Sequence, residues 1–144
     1  MNEALLSSQS SEWETPSDLF EALDDIFHFD LDVCATAENA KCKRYFTKAD
    51  NGLEQEWTGT CWMNPPYGRE ISAWVRKAFY QAKRGKTIVA LLPARTDTKW
   101  WHDYCVSHEI IFLKGRVKFL QSKKQSFNAP FANAIVVFRP RIDW

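Results

Sequence analysis

The sequence is poor in the residues that build metal and disulfide frameworks. Its 144 residues include four cysteines and three histidines. Cys34, Cys42, Cys61 and Cys105 form no C-x-x-C pair, and His28, His102 and His108 do not cluster, which argues against a zinc site. No metal is expected. No apolar run approaches the roughly 18 residues that a membrane helix needs, and no signal-peptide pattern opens the chain. The cytoplasm, with reduced thiols, is the expected compartment. No internal repeat or second domain is visible. Residues 1–11, polar and serine-rich, are expected to form a flexible N-terminus. Residues 12–144 are expected to form one domain, and at this chain length roughly 68–70% of the unfolded surface can be buried.

Net charge is also nearly absent, at +1, but that balance conceals a division. Met1–Trp62 carries 4 Lys and Arg against 13 Asp and Glu, while Met63–Trp144 carries 15 against 5. An asymmetry this large points to a polyanion as partner of the C-terminal half. Aromatic residues are plentiful, with seven Trp, ten Phe and four Tyr. One small core cannot hold them all, and stacking against nucleic-acid bases is one use for those left over.

Periodicity supplies the outline of a fold. A helix begins at Glu14-Thr15-Pro16-Ser17-Asp18, capped either by Thr15 with Pro16 in the first turn or by Ser17. Leu19, Phe20, Leu23, Ile26 and Phe27 form its apolar stripe. Phe29–Ala35 reads as a short strand, Arg44–Thr47 as a second, and Asp50-Asn51-Gly52 as a turn. Thr60–Met63 is a strand running into Asn64-Pro65-Pro66-Tyr67-Gly68, where two prolines stop the ladder and push the backbone outward. Ile71–Arg84 is an amphipathic helix with Trp74, Val75, Ala78 and Phe79 on its apolar side, ended by Gly85. Thr87–Leu92 is apolar throughout, the pattern of a strand buried on both faces. A short helix around Trp100–Val106 and a strand at Glu109–Leu113 follow. Val117–Leu120 and Asn133–Phe138 are expected to pair as a terminal antiparallel hairpin. The sum is an α/β sheet with helices on both faces.

The sharpest chemical signal is Asn64-Pro65-Pro66-Tyr67 after a buried strand. In an open α/β sheet, ligands bind at the carboxyl ends of strands. The lone pair of adenine N6 is delocalised into the ring, which makes the amine a poor nucleophile. Acceptors on its two hydrogens favour a tetrahedral nitrogen and free that lone pair for attack on a sulfonium methyl. The Asn64 side-chain oxygen and the Pro65 carbonyl could be those acceptors. Pro66 would stiffen the loop. Tyr67 could stack on the extruded base and stabilise the positive charge that builds on it.

This tetrapeptide resembles the (Asp/Asn/Ser)-Pro-Pro-(Tyr/Phe/Trp) loop of the amino-methyltransferases. Further segments agree: Trp13-x-Thr15-Pro16, Asp32-x-Cys34-Ala35, Glu38-Asn39-Ala40-Lys41-Cys42, Leu91-Leu92-Pro93-Ala94-Arg95 and Gly115-Arg116-x-x-Phe119. From Thr15 to Phe138 the chain resembles the phage-type, Dam-like DNA N6-adenine methyltransferases. The resemblance implies an abbreviated Rossmann-like class I methyltransferase sheet and an S-adenosylmethionine-dependent enzyme that methylates a flipped-out adenine in double-stranded DNA. It also implies a phage or prophage gene expressed in a bacterial host. Related chemistries on RNA adenine, cytosine N4 or protein glutamine share the loop, and a degenerate, non-catalytic DNA-binding module is the alternative of a different class.

Residue roles follow from the resemblance. Asn64, Pro65, Pro66 and Tyr67 would be catalytic. Trp13, Thr15 and Pro16 would meet the methionine end of the cofactor, and Asp32 its amino group, with Cys34 and Ala35 small enough for close backbone approach. Asp50, with Leu53, would receive the cofactor's adenine, and Asn64 would border the methyl group. Glu38 or Asn39 would stand in for the ribose-binding acid that is not evident after the second strand. Arg69, Arg95, Lys99, Arg116, Lys123 and Lys124 are candidate DNA contacts, and Phe127 or Phe131 a second aromatic wall for the extruded base. No separate recognition domain is present, so the DNA sequence would be read by loops 95–99 and 114–131, or by the second subunit of a homodimer. A GATC target is an expectation from the resemblance alone.

Overall fold

The computed structural model describes residues 13–120 and 126–141. The chain enters through helix α1 (Ser17–Phe27), strands β1 (Leu31–Asp32) and β2 (Arg44–Tyr45), and a 3-10 turn at Gly52–Glu54. Strand β3 (Cys61–Met63), helix α2 (Ile71–Lys83), strand β4 (Ile88–Pro93) and a π-helical turn at Trp101–Cys105 follow. Strands β5 (Glu109–Phe112), β6 (Lys118–Leu120), β7 (Ser126–Asn128) and β8 (Asn133–Phe138) complete it. Six strands form one sheet in the order β2-β1-β3-β4-β8-β5, parallel from β2 to β4 and antiparallel on either side of β8.

Helices cover both faces, as strand alternation makes clear. Trp62, Val89 and Val137 are register partners and share a face, and Phe20 of α1 packs on Trp62 with ring centroids 5.4 Å apart. Phe138, one residue beyond Val137, points the opposite way. It meets His108 at 5.1 Å, which in turn meets Phe79 of α2 at 5.6 Å. The core lies between these layers, with all six residues of β4 and all six of β8 buried.

Three sequence expectations are corrected. Asn133–Phe138 does not pair with Val117–Leu120. It enters the main sheet between β4 and β5, and β6 pairs instead with β7. A six-residue strand that is apolar on both faces can bury both only inside a covered sheet, which a two-stranded hairpin cannot offer. β1 spans only Leu31–Asp32, shorter than Phe29–Ala35: the Cys34 N–H turns to the Asp32 carboxylate at 3.3 Å, while the Val33 and Ala35 N–H groups on either side still reach the Trp62 and Phe46 carbonyls at 3.1 and 2.9 Å. Neither Thr15 nor Ser17 caps α1: Pro16 is the N-cap residue, and no side chain bonds to the helix end there. The Thr15 hydroxyl is engaged elsewhere, as described below.

The loop after β1 carries no glycine, and the close backbone approach occurs instead at Gly52. A Cβ there would stand 2.3 Å from the Val33 carbonyl oxygen and 3.0 Å from the Trp74 ring. Because the nearest atom is backbone, relief requires β1 and the 3-10 turn to separate. Gly52→Ala is expected to lower stability by roughly 2–3 kcal/mol, toward the upper end of overpacking penalties. A urea midpoint unchanged from wild type would refute that packing.

Candidate active site

The Asn64–Tyr67 loop leaves the carboxyl end of β3, flanked by the carboxyl ends of β1 and β4. Both amide hydrogens of Asn64 are committed: Nδ2 donates to the Trp13 carbonyl at 2.9 Å and to Thr15 Oγ1 at 3.1 Å. Segment 13–15 is itself strapped down by the β6–β7 hairpin, since Glu14 and Leu120 exchange backbone hydrogen bonds of 2.8 and 3.0 Å. The Asn64 amide is thereby fixed in its plane. Its Oδ1 accepts from the Tyr67 hydroxyl at 3.3 Å, which leaves one of its two lone-pair positions uncommitted.

Tyr67 is 4% exposed and packs against Trp13, Phe131 and Phe119 at centroid distances of 5.5, 5.4 and 6.1 Å. Its hydroxyl stands 3.4 Å from the Leu91 carbonyl and receives Asn133 Nδ2 at 3.4 Å. Burial pushes the phenol well above its ordinary range, so Tyr67 is a neutral hydrogen-bond donor and not a base. Pro65 is buried and Pro66 half-buried, which leaves the loop little freedom.

The loop stands between two recesses. The larger, about 660 Å³, is lined by Lys48, by Pro66, Tyr67, Arg69 and Glu70 of the loop and its continuation, and by Arg95, Thr98, Trp100 and Phe131. That volume lies within the range of small-molecule sites, about 300–1,000 Å³. The smaller, about 10 Å³, is lined by Trp13, Glu14, Thr15, Asp32, Cys34, Asn39, Lys41, Trp62 and Asn64. Six of the residues expected to hold the cofactor (Trp13, Thr15, Asp32, Cys34, Asn39 and Asn64) therefore converge here. Pro16, Ala35, Asp50 and Leu53 line neither recess. Asp50 Oδ2 instead closes the 47–50 turn by accepting from the N–H and hydroxyl of Thr47 at 2.8 and 3.0 Å.

Of the expected DNA contacts, Arg69, Arg95 and Phe131 line the large recess, with the Arg95 guanidinium 5.7 Å from the Phe131 ring centre. Lys99 is exposed and paired with Asp103. Arg116 is exposed on the loop before β6. Phe127 packs on Trp13 at 4.8 Å. Lys123 and Lys124 lie outside the described residues. Sequence reasoning missed Lys48, Glu70 and Trp100 in the large recess and Glu14, Lys41 and Trp62 in the small one, while Thr98 falls within the expected 95–99 loop. Glu70 could have been found from its place just after the loop, and Trp100 from its place beyond the carboxyl end of β4.

Electrostatics separates the two recesses. Asp32 is buried, and desolvation raises its carboxyl from 3.8 to about 7, against the N–H groups of Lys41 and Cys34 and the Lys41 charge. Lys41 also pairs with Glu14 at 3.0 Å. Burial raises all four thiols to about 12, so no cysteine is poised as a nucleophile. Among the described residues no cluster of His, Cys, Asp and Glu could hold a metal ion. Nor is any helix among them long and apolar enough to cross a membrane.

Residues 3–143 match the family model described as DNA N-6-adenine-methyltransferase (Dam). The chain belongs to this family. It is 34% identical over 139 residues to the DNA N-6-adenine-methyltransferase of Haemophilus phage HP1, an alignment covering 90% of this chain and 79% of that one. It is also 34% identical over 92 residues to the DNA N-6-adenine-methyltransferase of Escherichia phage T1, covering 62% of this chain and 38% of that protein. Asn64-Pro65-Pro66-Tyr67 lies well inside the stretch matched to the Dam family.

The Asp32 carboxyl gives this Dam-family site a pH signature. Its folded pKa lies above its unfolded one, so ionisation favours the unfolded chain. The carboxyl's contribution to stability is intact below about pH 4 and is lost as the pH rises through about 7. Wild-type stability should fall between about pH 4 and 7, with Asp32→Asn removing that part of the slope, and carbon NMR should place the carboxyl midpoint near 7. A midpoint near 4 would show that the recess is not desolvating.

Proposed function

We propose that this chain is a DNA adenine-N6 methyltransferase that draws its methyl group from S-adenosylmethionine and acts on an adenine turned out of the duplex, with residues 12–144 as one catalytic unit on a Rossmann-like class I sheet. The observation that carries this reading is the Asn64 amide, pinned through both N–H bonds with an uncommitted lone pair on its oxygen, at the wall between a small acidic recess and a large basic one.

The donor set of the small recess fits the methionine end of S-adenosylmethionine: a buried carboxylate for an ammonium group, an amine for a carboxylate, and hydroxyl and amide groups between them. Asp32, Lys41, Thr15 and Asn39 would hold that end, and Asp50 with Leu53 the adenine end. A recess of about 10 Å³ has room for little more than one water-sized body. Segment 34–41, tied to Asp32 through the N–H groups of Cys34 and Lys41, would therefore yield on binding. When bound, the cofactor supplies an electrophilic methyl on a sulfonium centre.

Asn64 Oδ1 and the Pro65 carbonyl would accept the two N6 hydrogens and draw the nitrogen toward tetrahedral geometry, an interaction that strengthens as positive charge develops. Neither oxygen is basic enough to retain a proton, which would pass to solvent after transfer. Phe131, Tyr67 and Trp100 give the large recess an aromatic wall for a flipped base. Arg69 and Arg95 would meet backbone phosphates.

Labelled-methyl transfer to DNA, RNA and protein, with the product nucleoside identified, tests this reading. N6-methyladenine in DNA is expected. Label in cytosine, RNA or glutamine would replace the substrate assignment, and no transfer to any acceptor would indicate a binding module. Asn64→Ala should lower turnover by roughly 10²–10³ with cofactor affinity nearly unchanged.

The charge division supports a second test. DNA affinity should fall with salt on a log–log slope of about −0.9 per phosphate contacted. Neutralising Arg69 and Arg95 to glutamine should flatten that slope by about one to two units and weaken all sequences alike. A double variant that kept its slope but lost sequence preference would put these side chains at base edges instead.

A further inference from the structure

We infer that Asn133 is a positioning residue for methyl transfer, setting the acceptor geometry of Asn64 through the hydroxyl of Tyr67. The inference rests on the proposed adenine-methyltransferase reading and extends it to a residue on β8, the antiparallel strand farthest along the chain.

Donor accounting carries it. Asn133 is 1% exposed at the start of β8, opposite Pro93 at the carboxyl end of β4. Its Nδ2 donates to the Leu92 carbonyl at 3.2 Å and to the Tyr67 hydroxyl at 3.4 Å, so both its hydrogens are committed. The Leu92 carbonyl, which can only accept, fixes which end of the amide faces it. Tyr67 has a single proton and two acceptors in reach, Asn64 Oδ1 at 3.3 Å and the Leu91 carbonyl at 3.4 Å. The N–H arriving from Asn133 occupies the phenol oxygen and restricts where that proton points. Asn64 Oδ1, fixed from its other side by Trp13 and Thr15, then receives a polarised donor on one lone pair and keeps the other for the reacting amine.

A second observation separates this role from packing. Asn133 Oδ1 is buried with no hydrogen-bond partner among the described residues. An unpartnered amide oxygen inside an otherwise apolar strand is a stability penalty that a valine would not carry. The four residues beyond it, Ala134, Ile135, Val136 and Val137, are apolar and buried. A polar side chain with an orphaned oxygen at a strand end that touches the catalytic loop is explained by what its nitrogen does.

The test is a double-mutant cycle in steady-state methylation of duplex DNA, with wild type, Asn133→Val, Tyr67→Phe and the double variant. Asn133→Val should fold with a melting temperature equal to or above that of wild type. Its kcat should fall about ten-fold or more while KM for DNA and for S-adenosylmethionine stays within about two-fold, the mark of an interaction that matters in the transition state. In the Tyr67→Phe background the same substitution should have little further effect on kcat, because the path runs through that hydroxyl. If Asn133→Val does not fold, Asn133→Ser, which keeps one donor, carries the same cycle and should retain intermediate turnover. Losses that multiply in the double variant, an unchanged kcat, or an effect confined to KM would each overturn the inference while leaving a methylating wild-type enzyme intact. A wild type that does not methylate adenine in DNA would overturn the underlying reading and this inference with it.

Discussion

Everything around the candidate site depends on one side-chain amide being held still. Asn64 spends both N–H groups on a carbonyl and a hydroxyl that lie 51 and 49 residues earlier in the chain. Those acceptors stay in place because the β6–β7 hairpin grips Glu14 from outside. A free asparagine amide would rotate and present nitrogen as readily as oxygen. Here the nitrogen is anchored, so the oxygen faces the aromatic side of the loop. Preorganisation of this kind matters because an acceptor already in place need not reorient as charge develops.

The sheet order explains how the two recesses come to share that loop. β3 lies between β1 and β4, so its carboxyl end adjoins Asp32 on one side and Pro93–Arg95 on the other. The acidic N-terminal half supplies Glu14 and Asp32 to the small recess, and the basic half supplies Arg69 and Arg95 to the large one. The near-neutral total charge thus divides at the loop, with unlike electrostatic surroundings on its two sides. Desolvation of Asp32 belongs to the same arrangement: a carboxyl held close to neutrality before a cationic ligand arrives is one whose charge that ligand would restore.

Much of this was legible in the sequence wherever the determinant was local. Two consecutive prolines after an apolar strand announce the end of β3 and a loop, the helical spacing of Trp74, Val75 and Ala78 announces α2, and a continuous apolar run announces β4. What escaped depends on distant parts of the chain. That β8 slots between β4 and β5, that Ser126–Asn128 pairs with β6, and that Thr15 serves Asn64 and not its own helix are all settled by long-range partners. The Asp50 carboxylate, which the motif offers to the cofactor's adenine, also accepts from Thr47 three residues away, a contact as local as the motif itself. Asn133 has no local signal, since an asparagine before an apolar strand looks like a turn residue until Leu92 and Tyr67 are placed beside it. The aromatic residues outnumber what one small core can hold, and their placement is not local information: Trp13, Trp57 and Trp62 are almost fully buried, Tyr80 and Phe112 are exposed, and Phe131 and Trp100 line the large recess.

The central claim, that the Asn64 amide is locked with its oxygen presented as an acceptor, is tested most directly by proton–nitrogen NMR of that side chain, assigned by its loss in Asn64→Asp. The expected result is two well-separated amide proton resonances whose exchange with water is strongly slowed, because Trp13 O and Thr15 Oγ1 each hold one of them. Two resonances at the positions of a free asparagine, exchanging at the rate of a solvent-exposed amide, would contradict it.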